Sequence, residues 1–342
     1  MKASIICALL LLSVALVSST PVRAGAFVFS SGTAPELIAH PSTYLGNGGD
    51  INVRVCIAPG SESITEMQVA VQNSVTIWNR QQAASPNVFL GGNNDIPTGA
   101  VDFESTLTHE LGHCIGLAHP NEATESGLPA ADRDYTKTAP GPNGVRDLDP
   151  GSDGIRGSAD DLRGDDINLH WFNIGSNNPF VLTEPVDAST YSRDLGNLPL
   201  TDTFAANADR TVAADLGFPG TEAVMQQGAF TDEDQRQLAT DDIATLRLGM
   251  AGLDRSAGTG DDYRPVLVFD GVGDDCDITV QLTGTSFAFC SIGAVPINGN
   301  SNHVRVTNAL VQLGSNSSFN WHFNQNPVVV LDEVFFVDGF ED

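Results

Sequence analysis

The stretch HELGHCIGLAHP at residues 109–120 constrains this chain most, because three of its seven histidines fall within it. On an α-helix, residues four apart lie about 40° apart on one face, so His109 and His113 can hold a single metal ion. His119 would lie roughly 15 Å from His109 if the helix continued, far beyond a metal–nitrogen bond of about 2 Å. The chain must therefore turn sharply before His119, and Gly116 is the residue there that accepts a positive φ without strain.

Glu110 lies about 100° from His109 around the same helix, so it can reach a metal-bound water without joining the ligand row. The spacing H-E-x-x-H-x-x-G-x-x-H is the signature of the metzincin zinc peptidases. Together with residues 103–108 (FESTLT), the segment resembles the active-site helix of their matrixin-like branch. By that resemblance, the three histidines His109, His113 and His119 hold Zn²⁺ as neutral imidazoles and leave a fourth position open.

The resemblance implies a secreted zinc-dependent endopeptidase that cleaves proteins or peptides. A zinc-activated water attacks the peptide bond, and Glu110 acts as the general base that passes the proton to the leaving amine. The alternative is a secreted binding or adhesion protein on an inactive metzincin scaffold. The intact Glu110 argues against it, since a scaffold needs the histidines for stability but not the glutamate. The motif leaves open a zinc hydrolase that acts on a non-peptide amide.

A methionine turn lies beneath the metal in metzincins, and Met225 in the segment EAVMQQG resembles it. By the resemblance, Met225 forms an apolar floor under the metal and is not a ligand. Residues 238–248 follow, and their apolar positions at helical spacing predict a helix with Thr240 or Asp241 at its N-cap. This segment is similar to the family's C-terminal helix.

The sequence also departs from the matrixin pattern. The interval between His119 and Met225 is much longer than in typical matrixins, and no cysteine-bearing latency element of the P-R-C-G kind precedes the motif. The segment between the first long helix and the active-site helix is short. We therefore expect the family's five-stranded sheet to be incomplete.

Residues 1–26 are typical of a secretory signal peptide. Lys2 gives a basic start, residues 3–17 are almost wholly apolar, and Ala24-Gly25-Ala26 offers an A-x-A cleavage site. A cut after Ala24 fits nearly as well. No later segment has about 18 uninterrupted apolar residues, so we expect a secreted, soluble monomer without membrane insertion.

The formal net charge is −27, and it becomes −29 when Lys2 and Arg23 leave with the signal peptide. A surface this acidic disfavours nucleic acid and anionic membranes as partners.

Export leaves four cysteines, Cys56, Cys114, Cys276 and Cys290, and an even count in an oxidising compartment predicts two disulfides. Three pairings are possible. Cys276 and Cys290 lie in successive strand-like runs and can pair locally, which would leave Cys56 to pair with Cys114. Cys114 is a poor candidate for a fourth metal ligand, because it lies about 100° from the ligand face.

The predicted fold class is α+β, with a twisted sheet and the active-site helix in a metzincin-like catalytic domain at residues 27–253. Alternation predicts a strand at 51–57, and an apolar stripe that includes Trp78 as a core residue predicts a helix at 64–82. A short strand is expected at 88–90. Residues 254–342 are predicted as a separate β-rich module, with strand-like runs at 263–269, 277–282, 287–292, 304–313 and 319–323.

Residues 121–221 form a long acidic insertion within the catalytic domain. It carries closely spaced aspartates among glycines, and we select five of them as candidate Ca²⁺ ligands: Asp147, Asp149, Asp153, Asp160 and Asp161. Carboxylates this dense repel one another unless they are solvated or bridged by a hard divalent cation. A calcium site and a solvated acidic loop are equally compatible with this pattern, which is not that of an EF-hand.

Overall fold

The computed structural model describes residues 25–30, 34, 36–83, 94–120, 171–175, 182–194, 197, 210, 220, 222–226 and 228–328. The predicted strand at 88–90 and residues 1–24 of the predicted signal peptide lie outside the described residues. So do the five candidate calcium ligands, Asp147, Asp149, Asp153, Asp160 and Asp161.

The described chain is a mixed helix-and-sheet fold in which most strand pairs are parallel, and this agrees with the predicted α+β class. The helices are α1 (Ile64–Arg80), α2 (Phe103–Cys114) and α3 (Thr240–Met250). The strands are β1 (Ile38–His40), β2 (Gly49–Ile57), β3 (Val101–Asp102), β4 (Phe172–Asn173), β5 (Tyr191–Ser192), β6 (Tyr263–Val272), β7 (Ile278–Leu282), β8 (Ala288–Ile297), β9 (Asn300–Leu313) and β10 (Trp321–His322).

Six strands form the main sheet, in which β1, β9, β7, β2 and β6 follow one another and β8 pairs with β9. Strand β2 is parallel to β6 on one side and to β7 on the other. Strand β9 is parallel to β1 and β7 but antiparallel to β8. The described sheet has six strands, more than the incomplete sheet that we expected, because β6, β7, β8 and β9, which follow α3, belong to it.

The predicted division at residue 254 is also wrong as a boundary between two units. Strands β6, β7 and β9 belong to the same sheet as β2, and one apolar core contains Val55, Leu107 and Val311. The alternating pattern identified the strand-like runs after residue 254 but not their partners. Pairing between strands about 200 residues apart leaves no local signal, because periodicity reports only which face of a strand is buried.

Helix α1 packs against α2 through its apolar stripe, in which Met67, Val71 and Trp78 are buried. The indole Nε1–H of Trp78 donates to the Thr108 carbonyl at 2.9 Å, so the one polar atom of this buried ring is satisfied. This confirms Trp78 as a core residue. It also fixes the middle of α2, one residue before His109.

Two disulfides are present, as predicted, but their pairing is not the predicted one. Cys56 pairs with Cys276 and Cys114 pairs with Cys290, with Cα–Cα distances of 5.8 and 5.9 Å. Cys276 lies two residues before β7, the neighbour of β2. Strand β9 lies between β7 and β8 and separates Cys276 from Cys290. The order of the strands therefore separates Cys276 from Cys290, although these two cysteines are neighbours in the sequence. Because Cys114 forms a disulfide, it is not available as a thiolate ligand.

The disulfides agree with an oxidising compartment and so with a secreted protein. None of the helices in the described segments is both long and apolar enough to cross a bilayer.

A pair of buried histidines joins β1 to β9. His40 Nε2 lies 2.9 Å from His303 Nδ1, and His40 Nδ1 lies 3.1 Å from the Tyr263 hydroxyl. Burial, followed by the charge of its histidine partner, places the pKa of His40 well below its usual value. Burial and then the Arg255 guanidinium lower the pKa of His303 to about 4, against a smaller opposing effect of Asp261.

We expect this pair to make the fold sensitive to acid. Because the folded-state pKa values are depressed, the stabilisation is complete above the unfolded histidine pKa of about 6.5 and is lost as the pH falls towards 4. His303 alone should contribute about 2 kcal/mol of this loss between pH 7 and pH 5. Urea unfolding of wild type and His303→Asn at both pH values measures it. Equal losses in the two proteins would contradict the assignment.

Candidate metal centre

Helix α2 presents His109 and His113 on one face, one turn apart. Their Nε2 atoms are 3.0 Å apart. The helix begins at Asp102, whose side chain caps it by accepting the Ser105 N–H at 2.9 Å. Both histidines are half-buried, so their rings are held by packing while their Nε2 atoms remain accessible.

The chain reverses immediately after α2, as the spacing predicts. Gly116 has φ of +117°, and a Cβ added to it would lie 2.5 Å from the Ala39 carbonyl oxygen. Only glycine fits this position, on both conformational and steric grounds. The turn brings His119 Nε2 to 3.1 Å from the Nε2 atoms of His109 and His113.

The three Nε2 atoms fit a tetrahedral zinc ion. Zinc–nitrogen bonds of about 2.0–2.1 Å place tetrahedral ligand atoms about 3.3 Å apart, close to the observed 3.0–3.1 Å. The other ring nitrogens are oriented by the backbone: His109 Nδ1 donates to the Val224 carbonyl at 2.7 Å and His113 Nδ1 donates to that of Leu117 at 2.8 Å. These bonds place the proton on Nδ1, so that each Nε2 carries the lone pair with which an imidazole binds a metal ion.

Met225 lies directly against α2 at the level of the histidines. It is buried, and a Cβ on Gly112 would overlap its sulfur and would lie 2.9 Å from the Trp78 ring. Gly112 therefore allows the methionine to approach the helix backbone between His109 and His113. Met225 is therefore a buried apolar side chain packed on the helix that carries His109 and His113.

The Met225 backbone is held by helix α3. The fully buried Asp242 carboxylate accepts the N–H groups of Val224 and Met225, each at 3.0 Å, and that of Ala239 at 2.7 Å. The predicted N-cap at Thr240 or Asp241 is therefore wrong by one or two residues, since Ala239 occupies it. Asp242, at the third helical position, reaches back to the N–H of the cap residue, which is one half of a capping box. The Ser or Thr and the Glu or Gln of that motif are absent at 239 and 242, so the sequence carried no signal for this role.

Glu110 faces the cleft from the same helix. It is 5% exposed, and its Oε2 has no hydrogen-bond partner among the described residues. Burial raises the pKa of this carboxyl to about 8, although a hydrogen bond from the Cys290 backbone acts in the opposite direction. An unsatisfied buried carboxyl costs stability, and such groups are concentrated at functional sites.

A cleft of about 420 Å³ opens above these residues. Helix α2 forms the floor of the cleft. Strand β8 forms one wall, which includes Ala288 and Cys290, and residues 27–30 line another side. Residues of the segment 228–235 also line it.

An ion pair that the sequence did not reveal anchors this last segment to α2. Arg236 donates to both carboxylate oxygens of Asp102, at 2.7 and 2.8 Å. Asp102 is 1% exposed and also caps the helix, so one carboxylate fixes the start of α2 and the chain that follows Met225. The Asp-x-x-Ser pattern at 102–105 is an N-cap signal, but nothing local points to Arg236.

Comparisons with protein-family models, with curated proteins and with solved structures found no match for this chain.

The contact between Gly112 and Met225 makes a specific prediction. Gly112→Ala places a methyl group where the Met225 sulfur lies, so the methionine or the helix must move. We expect a loss of about 1–3 kcal/mol in urea unfolding, as for other overpacked sites, and weaker zinc binding in competition with a chelator. Gly60→Ala is the control, because a Cβ there meets nothing within 4 Å. The same small effect in both variants would show that the contact is unimportant.

Proposed function

We propose that this protein is a secreted zinc endopeptidase with a metzincin-like site. The observation that carries the proposal is the convergence of three histidine Nε2 atoms, within 3.1 Å of one another, beside the Glu110 carboxylate in one cleft. The glycine turn at Gly116 and the methionine floor at Met225 support it, because the resemblance implies both.

The chain order differs from the order that the resemblance implies. The metzincin sheet would be completed before the active-site helix, whereas here β6, β7, β8 and β9 follow α3. The site residues follow the sequence order that the resemblance implies, and only the strands of the sheet differ in their order. This supports a site of metzincin type without making the whole chain a typical matrixin.

The proposed reaction needs a base next to the metal, and Glu110 supplies it. A zinc ion at the three histidines would polarise a scissile carbonyl and lower the pKa of water. Glu110 takes a proton from the attacking water and delivers it to the leaving amine, which departs poorly until it is protonated. Its carboxylate form is favoured when positive charge lies at the histidines, since an opposite charge lowers a carboxyl pKa.

The edge of β8 favours a peptide as the substrate. Among the described strands β8 pairs only with β9, and Ala288, Cys290 and Ile292 line the cleft. An extended peptide can add to such an edge through main-chain hydrogen bonds. A small amide would use little of this wall, so we favour protein or peptide substrates.

A binding or adhesion protein on an inactive scaffold is the alternative. It would gain nothing from Glu110, because a buried carboxyl with an unsatisfied oxygen lowers stability. Retention of this glutamate beside the three histidines therefore favours the enzyme.

Replacement of Glu110 separates metal binding from catalysis. We expect Glu110→Gln to retain about one zinc per chain but to lose casein hydrolysis on the order of 10²- to 10⁴-fold, because the base is removed and the ligands are not. His119→Ala should lose zinc itself. Metal content and initial rates with and without a chelator measure both effects.

The matched control is Glu66→Gln, an exposed glutamate on α1. It should leave zinc content and rate unchanged. Wild type that holds zinc but hydrolyses neither casein nor a peptide library would favour the binding protein. Undiminished turnover in Glu110→Gln would contradict Glu110 as the base.

A further inference from the structure

A tight turn at residues 27–30 brings Phe29 to the cleft. The Ser30 N–H donates to the Phe27 carbonyl at 3.2 Å, and the Ser30 hydroxyl donates to the same oxygen at 2.6 Å. Phe29 is the third residue of this turn and has φ of +67°. Glycine or asparagine usually occupies such a position, because a bulky side chain is strained there. The turn therefore holds an aromatic residue in a conformation that disfavours it.

Burial of the Phe29 side chain does not compensate for this strain. Phe29 is 42% exposed, and it lines the cleft that contains the three histidines. A strained residue persists only where other interactions fix it, and such residues are concentrated at active sites and ligand-binding sites. The position of Phe29 is therefore better explained by a contact with a ligand in the cleft than by packing of the protein itself.

Four other phenylalanines line the cleft: Phe27, Phe230, Phe287 and Phe289. Phe27 is buried, and the ring of Phe287 stacks on that of Trp321 with centroids 5.3 Å apart. The Arg210 guanidinium carbon lies 3.5 Å from the centre of the Phe230 ring. Contacts within the protein thus already cover much of these three rings.

Phe289 is exposed as well, but it lies in β8 next to Cys290, which is bonded to Cys114 of α2. Successive side chains of a strand point to opposite faces of the sheet, so the side chain of Phe289 points away from α2. At this point β8 offers its main chain to the cleft. Phe29 is the most exposed of the five phenylalanines.

Phe29 and the segment 228–235 lie at opposite ends of α2. The turn at 27–30 is held at the C-terminal end by a backbone hydrogen bond of 3.0 Å to the Gly116 carbonyl. The segment 228–235 is held at the N-terminal end by a hydrogen bond of 2.7 Å to the Ser105 hydroxyl oxygen. These ends are roughly 15 Å apart along the helix axis, with two of the candidate ligands between them. About four to five residues of an extended peptide span this distance.

We propose that Phe29 forms a subsite for a large apolar side chain of the substrate, at the end of the cleft nearest His119. The proposal rests on the proposed function and narrows its substrate class. A leucine or phenylalanine side chain placed against the Phe29 ring removes apolar surface of both from water, whereas a small or charged side chain does not. Residues 27–30 lie outside the segments on which the metzincin resemblance rests, so this subsite belongs to this chain in particular.

The test uses peptides in which each position near the cleaved bond is varied in turn among leucine, phenylalanine, alanine and aspartate. Phe29→Gly removes the ring but keeps the turn, because glycine accepts a positive φ. We expect the preference for leucine or phenylalanine over alanine, measured as kcat/KM, to fall about tenfold at one substrate position and to stay unchanged at the others. The thermal midpoint should change by less than about 3 °C, since the loss of strain offsets the loss of contacts.

Three further variants separate the subsite from a general effect on the fold. Phe29→Leu should retain most of the preference, because it keeps an apolar side chain at this position. Phe230→Ala should alter selectivity on the other side of the cleaved bond, since the segment 228–235 lies at the other end of α2. Asn298→Gly is the matched control, an exposed residue with φ of +52° that is not among the cleft residues, and it should leave all preferences unchanged.

An unchanged preference in Phe29→Gly would overturn the proposal, and so would an equal loss with every peptide, which would indicate a structural role. If the wild type cleaves none of the peptides, the proposed function fails, and the subsite is decided by the affinities of the same peptides for the zinc-loaded protein. Tighter binding of the apolar peptides that is lost in Phe29→Gly would support the subsite. Equal affinities in wild type and variant would refute it.

Discussion

The backbone of Val224 and Met225 is the point on which the candidate metal centre depends. Its two N–H groups are held by the buried Asp242 carboxylate, and the Val224 carbonyl orients the ring of His109. The Met225 side chain meanwhile fills the space that Gly112 leaves on α2. A carboxylate that accepts three N–H groups in the interior is a strong local constraint, since each donor would cost energy if left unpaired. One dipeptide thus links α3, the buried methionine against α2 and the candidate ligand His109.

The features predicted correctly are those that a short window of sequence determines. The bounds of α1, the face shared by His109 and His113, and the reversal at Gly116 follow from helix geometry and from the freedom of glycine. The strand-like runs after residue 254 follow from alternation. In each case the physical cause acts between residues that are close in sequence, so a short stretch of sequence is enough to predict the local structure.

The features predicted wrongly are long-range pairings. Cys56 pairs with a cysteine 220 residues later, and Cys114 with one 176 residues later, because the order of strands in the sheet decides which thiols meet. Arg236 reaches Asp102 for a similar reason. Neither hydrophobic period nor residue spacing carries information on strand order. Several arrangements bury the same apolar faces, and the choice among them depends on the whole core.

The disulfide between Cys114 and Cys290 explains how the two sides of the cleft stay in register. Cys114 follows His113 at the end of α2, and Cys290 lies in β8, which forms the facing wall. The same Cys290 offers its backbone N–H to Glu110, so the covalent bond also sets where that carboxylate lies relative to the strand edge. Without the disulfide, only packing and the hydrogen bond to Glu110 described above would hold together this helix and this edge strand, whose cysteines are 176 residues apart in sequence. Because the bond forms only in an oxidising environment, the spacing between Glu110, the three histidines and β8 is fixed once such an environment is reached.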